Sequence, residues 1–335
     1  MKPIGEQVVV ITGASSGIGR ATAQAFGEKG ARVVLAARSV QGLSEAAQEV
    51  EQAGGKVHTV VTDVSDWMQV QQLAQESVDA FGRIDTWVNN AGIAVYGTVE
   101  ETDLDEIERV IQVNLMGEIY GMKAALPIMK KQGEGVIINV ASALAERSVP
   151  YQAAYSAAKH GIKGFTETLR VELEHENSGV KVTLIEPSSI NTPLFNHARS
   201  KLGVMPKPIP PIYEPEVVAE AILAAAENPT RRVVVGAAKA LTILERINPN
   251  LVDWYMTQGG RMFKQQMTGR GDDGMDNLFE PVEGSDRVRG EFDSGALPTS
   301  PYTRYIEQNP NIMRSLALAA LAGAVLGIWA LGRRS

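Results

Sequence analysis

Cysteine does not occur in the 335 residues. Its absence excludes disulfides, thiolate metal sites and a cysteine nucleophile, and leaves the redox compartment open. Histidine is scarce. His58, His160, His175 and His197 show no ligand spacing, so each reads as a surface or loop residue and no metal site is expected. Positive charge is in deficit, 32 Lys and Arg against 39 Asp and Glu, giving a formal net charge of −7. That removes the general electrostatic case for a nucleic-acid partner. The deficit is concentrated, since residues 270–300 hold eight acids and three bases. No apolar run stands ahead of the first strand pattern (the chain opens MKPIGEQ), so no export leader is expected. What remains, 44% hydrophobic and 21% charged residues, is ordinary for a globular protein with a sizeable core. The length fits one large α/β domain with an appendage.

Residues 8–12 form a short apolar, β-branched run, the pattern of a strand buried on both faces of a parallel sheet. It leads into Thr12-Gly13-Ala14-Ser15-Ser16-Gly17-Ile18-Gly19, and a helix is expected over 20–29. In the order strand, glycine turn, helix, such glycines let the backbone approach a pyrophosphate at the positive helix N-terminus. A second strand (32–36) ends at Ala37-Arg38-Ser39. An acid here would bind a ribose 2′-hydroxyl, whereas an Arg accommodates a 2′-phosphate, so Arg38 favours NADP over NAD. Strand patterns recur at 57–62, before Asp63-Val64, and at 86–89, before Asn90-Ala91-Gly92. They recur again at 136–140, before Ser142, and at 182–185, before the Pro187 to Thr192 loop. Helices are expected between them. The alternation predicts right-handed βαβ units and a doubly wound parallel sheet. Asn114 falls in a long helical segment (104–129), where it is either a solvated position or a deliberate polar group.

Tyr155 and Lys159 stand four residues apart in an Ala-rich run (151–163) that should be helical, which puts both on one face. An ammonium beside a phenol favours the phenolate, giving a proton donor and acceptor usable near neutral pH. Alone, such a pair is an ordinary surface feature. In this chain it comes in sequence with TGASSGIG, Asp63-Val64, NNAG, Asn114, Ser142 and the Pro187 to Thr192 loop.

In that order and spacing the chain resembles the short-chain dehydrogenase/reductase family over about residues 8–236. One departure is Ser188, where the family often has Gly. The resemblance implies a Rossmann fold, an NADP(H) cofactor and hydride transfer between a carbonyl and an alcohol. It further implies Tyr155 as general acid/base, Lys159 lowering its pKa and bonding the nicotinamide ribose, and Ser142 holding the substrate oxygen. Asn114 would anchor a relay water. The cofactor would be contacted by Gly13, Ser15, Ser16, Gly17, Ile18, Gly19, Arg38, Asp63, Val64, Asn90, Ala91 and Gly92. Tyr155, Lys159, Pro187, Ile190 and Thr192 would complete that set. A homo-oligomer is expected.

Four regions follow from composition. Residues 1–240 are the enzyme domain, with a Pro-rich apolar substrate lid at 193–215. Residues 241–268 are a helical extension, rich in Leu, Ile, Met, Trp and Tyr, that either packs on the core or a subunit neighbour or covers a hydrophobic entrance. Residues 269–310 are acidic, rich in Gly and Pro and poor in aliphatics, and are expected to be a disordered linker. In residues 311–335, the run from 315 to 332 carries no charge over eighteen residues. It would span about 27 Å as a helix. The expectation is a C-terminal membrane anchor with the enzyme domain facing the cytoplasm and an apolar small-molecule substrate. Two rival readings are a 3-oxoacyl-thioester reductase and a dinucleotide-binding scaffold without turnover.

Overall fold

The computed structural model describes residues 1–237 and 239–304. Seven strands make one sheet: β1 (Val8–Thr12), β2 (Arg32–Ala37), β3 (Lys56–Val61), β4 (Thr86–Asn89), β5 (Gly135–Val140), β6 (Val180–Pro187) and β7 (Arg232–Val235). Their order is β7-β6-β5-β4-β1-β2-β3, and every pairing is parallel. The strands alternate with α1 (Gly17–Glu28), α2 (Val40–Gln52), α3 (Trp67–Phe81), α4 (Leu104–Ile111), α5 (Gly117–Gln132), α6 (Ala153–His175) and α7 (Pro215–Glu227). Strand order reverses between β1 and β4, and a crevice opens there at the carboxyl ends of the strands.

Both faces of the sheet are covered, which explains the all-apolar strands. Successive side chains of a strand point to opposite faces. Val9, Ile11, Val33 and Leu35 therefore join Phe26, Val218 and Ile222 under α1 and α7. Val10, Val34 and Trp87 join Leu73, Met122 and Ile162 under α3, α5 and α6. Element boundaries differ from the sequence expectation by a few residues. The largest differences are α6, which runs on to His175, and the 104–129 segment, which is broken by a π-turn at Gln112–Met116 between α4 and α5.

The helical extension is present as α8 (Lys239–Ile247), α9 (Pro249–Thr257) and α10 (Arg261–Gln265). Val252, Met256 and Met262 pack on Val149, Leu144 and Ile209.

The expected disordered linker differs from what the structure shows over residues 269–304. This stretch is a strap laid back across the enzyme domain. Met267–Gly271 pairs antiparallel with Val204–Pro206, and Ala296–Leu297 pairs parallel with Ile212–Tyr213. Between these strands Leu278 is fully buried. The strap needs few aliphatics because arginines of the main domain donate to its carbonyls. Arg38 Nη1 donates to Phe279 O (2.8 Å) and Arg109 Nε to Leu278 O (3.0 Å). Charge complementarity does the rest, for example Arg199 with Asp276 at 2.9 Å.

Among the described residues no helix is long and apolar enough to cross a membrane. The expected anchor at 311–335, with residues 305–310, lies outside the described residues.

Leu278→Ala should loosen the strap selectively. Removing a buried Leu side chain costs about 2–5 kcal/mol, and here that cost falls on a segment held by few other apolar contacts. Limited proteolysis should cut within residues 271–304 at least tenfold faster, with the core surviving as a resistant fragment. A variant as resistant as the parent would mean that Leu278 does not pin the strap.

Candidate active site

The crevice begins at the turn after β1. Gly13 and Gly17 have φ of 65° and 54°, a left-handed conformation that costs glycine little. A Cβ on Gly19 would lie 2.1 Å from Gly13 O, so this glycine serves the packing of the turn. Thr12 Oγ1 accepts from the amides of Asn90 (3.0 Å) and Ala91 (3.2 Å), and Asn90 Nδ2 donates to Thr12 O (3.0 Å). These bonds tie the ends of β1 and β4 together and fix Asn90, Ala91 and Gly92 along the groove.

Arg38 stands at the end of β2. Both arms of its guanidinium reach the strap, donating to the carbonyls of Asn277 and Phe279. Burial lowers its pKa from the ordinary arginine value. Beside it, Ser39 Oγ lies 2.8 Å from Glu283 Oε2 and 2.6 Å from Asp286 Oδ2. The Val40 amide at the start of α2 donates to Glu283 Oε1 (3.2 Å). The Gly17 amide, at the start of α1, donates to Arg287 O (2.9 Å). The strap therefore forms the outer wall of this end of the groove, and no motif in the sequence marked it. His197 lies in the loop after residue 195, buried, with its Nε2 2.8 Å from Ser285 Oγ of the strap. Burial lowers its pKa.

Asp63 accepts from Arg109 Nη2 (2.7 Å) and Ser65 Oγ (2.7 Å). Burial pushes this carboxyl up, but the bonds from Arg109 and Ser65 outweigh it and hold it below the usual range. Val64, next to it, is buried.

At the other end, α6 carries Tyr155 and Lys159 on one face, with the Lys159 Nζ 5.7 Å from the Tyr155 ring centre. The Tyr155 ring is half-buried among Tyr96, Leu194 and Phe195. Tyr151, just before the helix, has φ of 68°, and its ring meets Phe263 edge-on. Ser142 is buried at the end of β5, where its Oγ accepts from the Leu144 amide (3.1 Å). Lys159 is 3% exposed, donating to Val140 O (2.8 Å) and Glu118 Oε1 (2.8 Å). Glu118 carries no motif and reads in sequence as one more helical glutamate. Asn114 sits in the π-turn with its amide spent on one residue, accepting from Ile93 N (2.9 Å) and donating to Ile93 O (2.8 Å).

These residues line one cleft of about 540 Å³. It takes in Gly13, Ser15, Ser16, Gly17 and Ile18, then Arg38, Asp63, Val64, Asn90, Ala91 and Gly92. It continues past Ser142, Tyr155 and Lys159 to Pro187, Ile190 and Thr192. Of the residues singled out in the sequence, Gly19 and Asn114 stand behind its wall. Leu194, Phe195 and Ile209 of the lid and Tyr255 and Met262 of the extension also line the cleft.

The groove fits a nicotinamide dinucleotide. It joins a glycine turn at a helix N-terminus, for the pyrophosphate, to a half-buried phenol and a buried ammonium at the reacting end. Among the described residues no cluster of three or more His, Asp or Glu could hold a metal ion.

Comparison with known proteins agrees. A family model described as short chain dehydrogenase matches residues 7–203. An uncharacterized oxidoreductase of Bacillus subtilis, YxnA, is 42% identical over 259 residues, covering 76% of this chain and 73% of its own length. The crystal structure of a short chain dehydrogenase/reductase from Burkholderia phymatum in complex with NAD superposes with a TM-score of 0.69. It is 29% identical and covers 75% of this chain and 96% of its own. An alcohol dehydrogenase from Thermococcus sibiricus complexed with 5-hydroxy-NADP gives 0.60, also at 29% identity, covering 68% of this chain and 95% of its own. The glycine turn, the Tyr155 and Lys159 pair at the end of one cleft, and these matches place the chain in the short chain dehydrogenase family of oxidoreductases.

Proposed function

We propose that the protein is an NADP(H)-dependent oxidoreductase that interconverts a carbonyl and an alcohol on an apolar substrate. The observation that carries the reading is the convergence of Ser142, Tyr155 and Lys159 in one dinucleotide-sized cleft that apolar side chains also line. When bound, the nicotinamide would supply or accept the hydride. Tyr155 holds the proton that the substrate oxygen gains in reduction. Ser142 donates to the same oxygen as negative charge develops on it. Lys159 has two of its three N–H donors committed to Val140 O and Glu118, which leaves one to face the groove. Leu194 and Phe195, which share an apolar cluster with Tyr155, and Ile209 and Met262, which also line the cleft, favour an apolar substrate.

Arg38 at the end of β2 supports the NADP assignment. Glu283 favours the other dinucleotide, because a carboxylate on Ser39 Oγ and Val40 N suits a ribose 2′-hydroxyl better than a phosphate. For the substrate, the second reading is a 3-oxoacyl thioester. It is favoured by Lys207, which lines the outer cleft and is in no ion pair among the described residues. A substrate panel of apolar ketones and acyl thioesters, followed at the cofactor absorbance, separates the two.

From the sequence, the uncharged run 315–332 between Arg314 and Arg333-Arg334 supports a C-terminal membrane anchor, with the enzyme domain in the cytoplasm where its cofactor pool is.

Tyr155→Phe should retain dinucleotide binding and lose about 10²- to 10⁴-fold in turnover, because it deletes a transferable proton and little volume. Turnover within a few-fold of the parent would remove Tyr155 from the chemistry. Arg38→Ala should weaken NADPH about ten- to a hundredfold by calorimetry, the worth of a charge-assisted bond to phosphate, and NADH far less. Equal losses, or a parent that prefers NADH, would overturn the NADP assignment. The full-length chain should sediment with membranes and resist carbonate, while a chain lacking 311–335 should stay in the supernatant with its activity intact. A full-length protein in the supernatant without detergent would sink the anchor.

A further inference from the structure

A carboxylate lies directly behind the reacting pair. Glu118, on the first turn of α5, is 2% exposed, and its Oε1 is 2.8 Å from the Lys159 ammonium. The other oxygen, Oε2, is buried and has no hydrogen-bond partner. The position is built. The π-turn at Gln112–Met116 precedes it, Asn89 Nδ2 donates to its backbone carbonyl (3.2 Å), and Gly121 one turn on admits no Cβ because Asn89 Oδ1 would lie 2.0 Å away.

A buried carboxylate with one oxygen unsatisfied is costly as a mere structural feature. It is informative because of where its charge acts. The Lys159 ammonium favours a phenolate at Tyr155, and an anion paired to that ammonium opposes the effect. We propose that Glu118 is a positioning residue: it holds the Lys159 ammonium in place behind Tyr155 and, as the counter-charge of that ammonium, tempers the positive charge that the phenol meets. This rests on the reading of Tyr155 as the proton donor.

The electrostatic surroundings are simple. From α6, Lys159 is the charge that acts on Glu118. Glu118 and Tyr155 are the groups that act on Lys159, and Tyr96 faces Tyr155 from the 95–96 strand. The remaining polar neighbours, Asn89 and Asn139, are neutral and bonded to one another. Burial pushes the Glu118 carboxyl up to about 7, against the pull of Lys159. Lys159 is itself held above its ordinary value, because Glu118 and Tyr155 together outweigh its burial.

The test uses Glu118→Gln and Glu118→Met, which keep the shape and remove the charge, with Glu118→Asp as the variant that retains it. Two readouts are taken on the full chain. One is the tyrosinate absorbance of Tyr155 without cofactor, isolated as the difference between each protein and its Tyr155→Phe counterpart. The other is the pH profile of alcohol oxidation. In both uncharged variants the tyrosinate signal and the rise in oxidation rate should move to lower pH by about one unit, the scale of a unit charge acting across a protein interior. The Asp variant should stay near the parent. Two uncharged variants make the test robust to one of them failing to fold. If neither signal moves in a folded uncharged variant while Tyr155→Phe still abolishes turnover, Glu118 is only a packing partner and the inference fails alone. If Tyr155→Phe remains active, the reading beneath it fails.

Discussion

A buried ammonium has to be met by an anion and by acceptors, or it gives up its proton. Much of this site is arranged around that constraint at Lys159. Its position on α6 is set by the helix period from Tyr155, and its Nζ is received by the last carbonyl of β5 and by Glu118. To bring Glu118 there, the helical segment after residue 104 passes through a π-turn, a device common near functional sites. A chain of buried amides then locks the neighbouring elements together. Trp87 Nε1 donates to Asn89 Oδ1 (2.7 Å), Asn89 Nδ2 to Asn139 Oδ1 (2.8 Å), and Asn139 Nδ2 to Thr166 Oγ1 of α6 (2.8 Å). Fully satisfied networks of this kind rigidify what they connect. Here they connect β4, β5 and α6 behind the reacting groups.

The fold and half of the site could be read from sequence because their signals are local. A strand buried on both faces must be apolar throughout, as Val8–Thr12 is, and a turn that approaches a phosphate must carry glycine at set offsets. Tyr155 and Lys159 announce themselves through a four-residue helical spacing. Glu118 could not announce itself. One glutamate in a helix has the same letter whether it faces water or an ammonium, and only the packing of α5 against α6 tells the two apart.

The order of the strap is hidden in sequence for a related reason. Low aliphatic content and a run of acids predict disorder when a segment must stabilise itself. Residues 271–304 do not do so. They borrow donors from Arg38, Arg109 and Arg199, and are anchored by the fully buried Leu278 and by Thr303, whose hydroxyl donates to Val234 O. Of its acids, Asp276 is paired with Arg199, placed 77 residues earlier. Asn114, by contrast, carries a motif, and its side-chain amide bonds both backbone groups of Ile93.

The strap also fixes an order of events in synthesis. The sheet, the glycine turn and the Tyr155 helix are all complete by the time residue 237 has been made, whereas the wall at Arg38 and Ser39 waits for residues 277–287. A growing chain therefore exposes an open groove, with Arg38 at its rim lacking its strap carbonyls, until residues 277–287 leave the ribosome. Dinucleotide in the surrounding solution meets that open groove first, so the wall can be laid down over a site that is already filled.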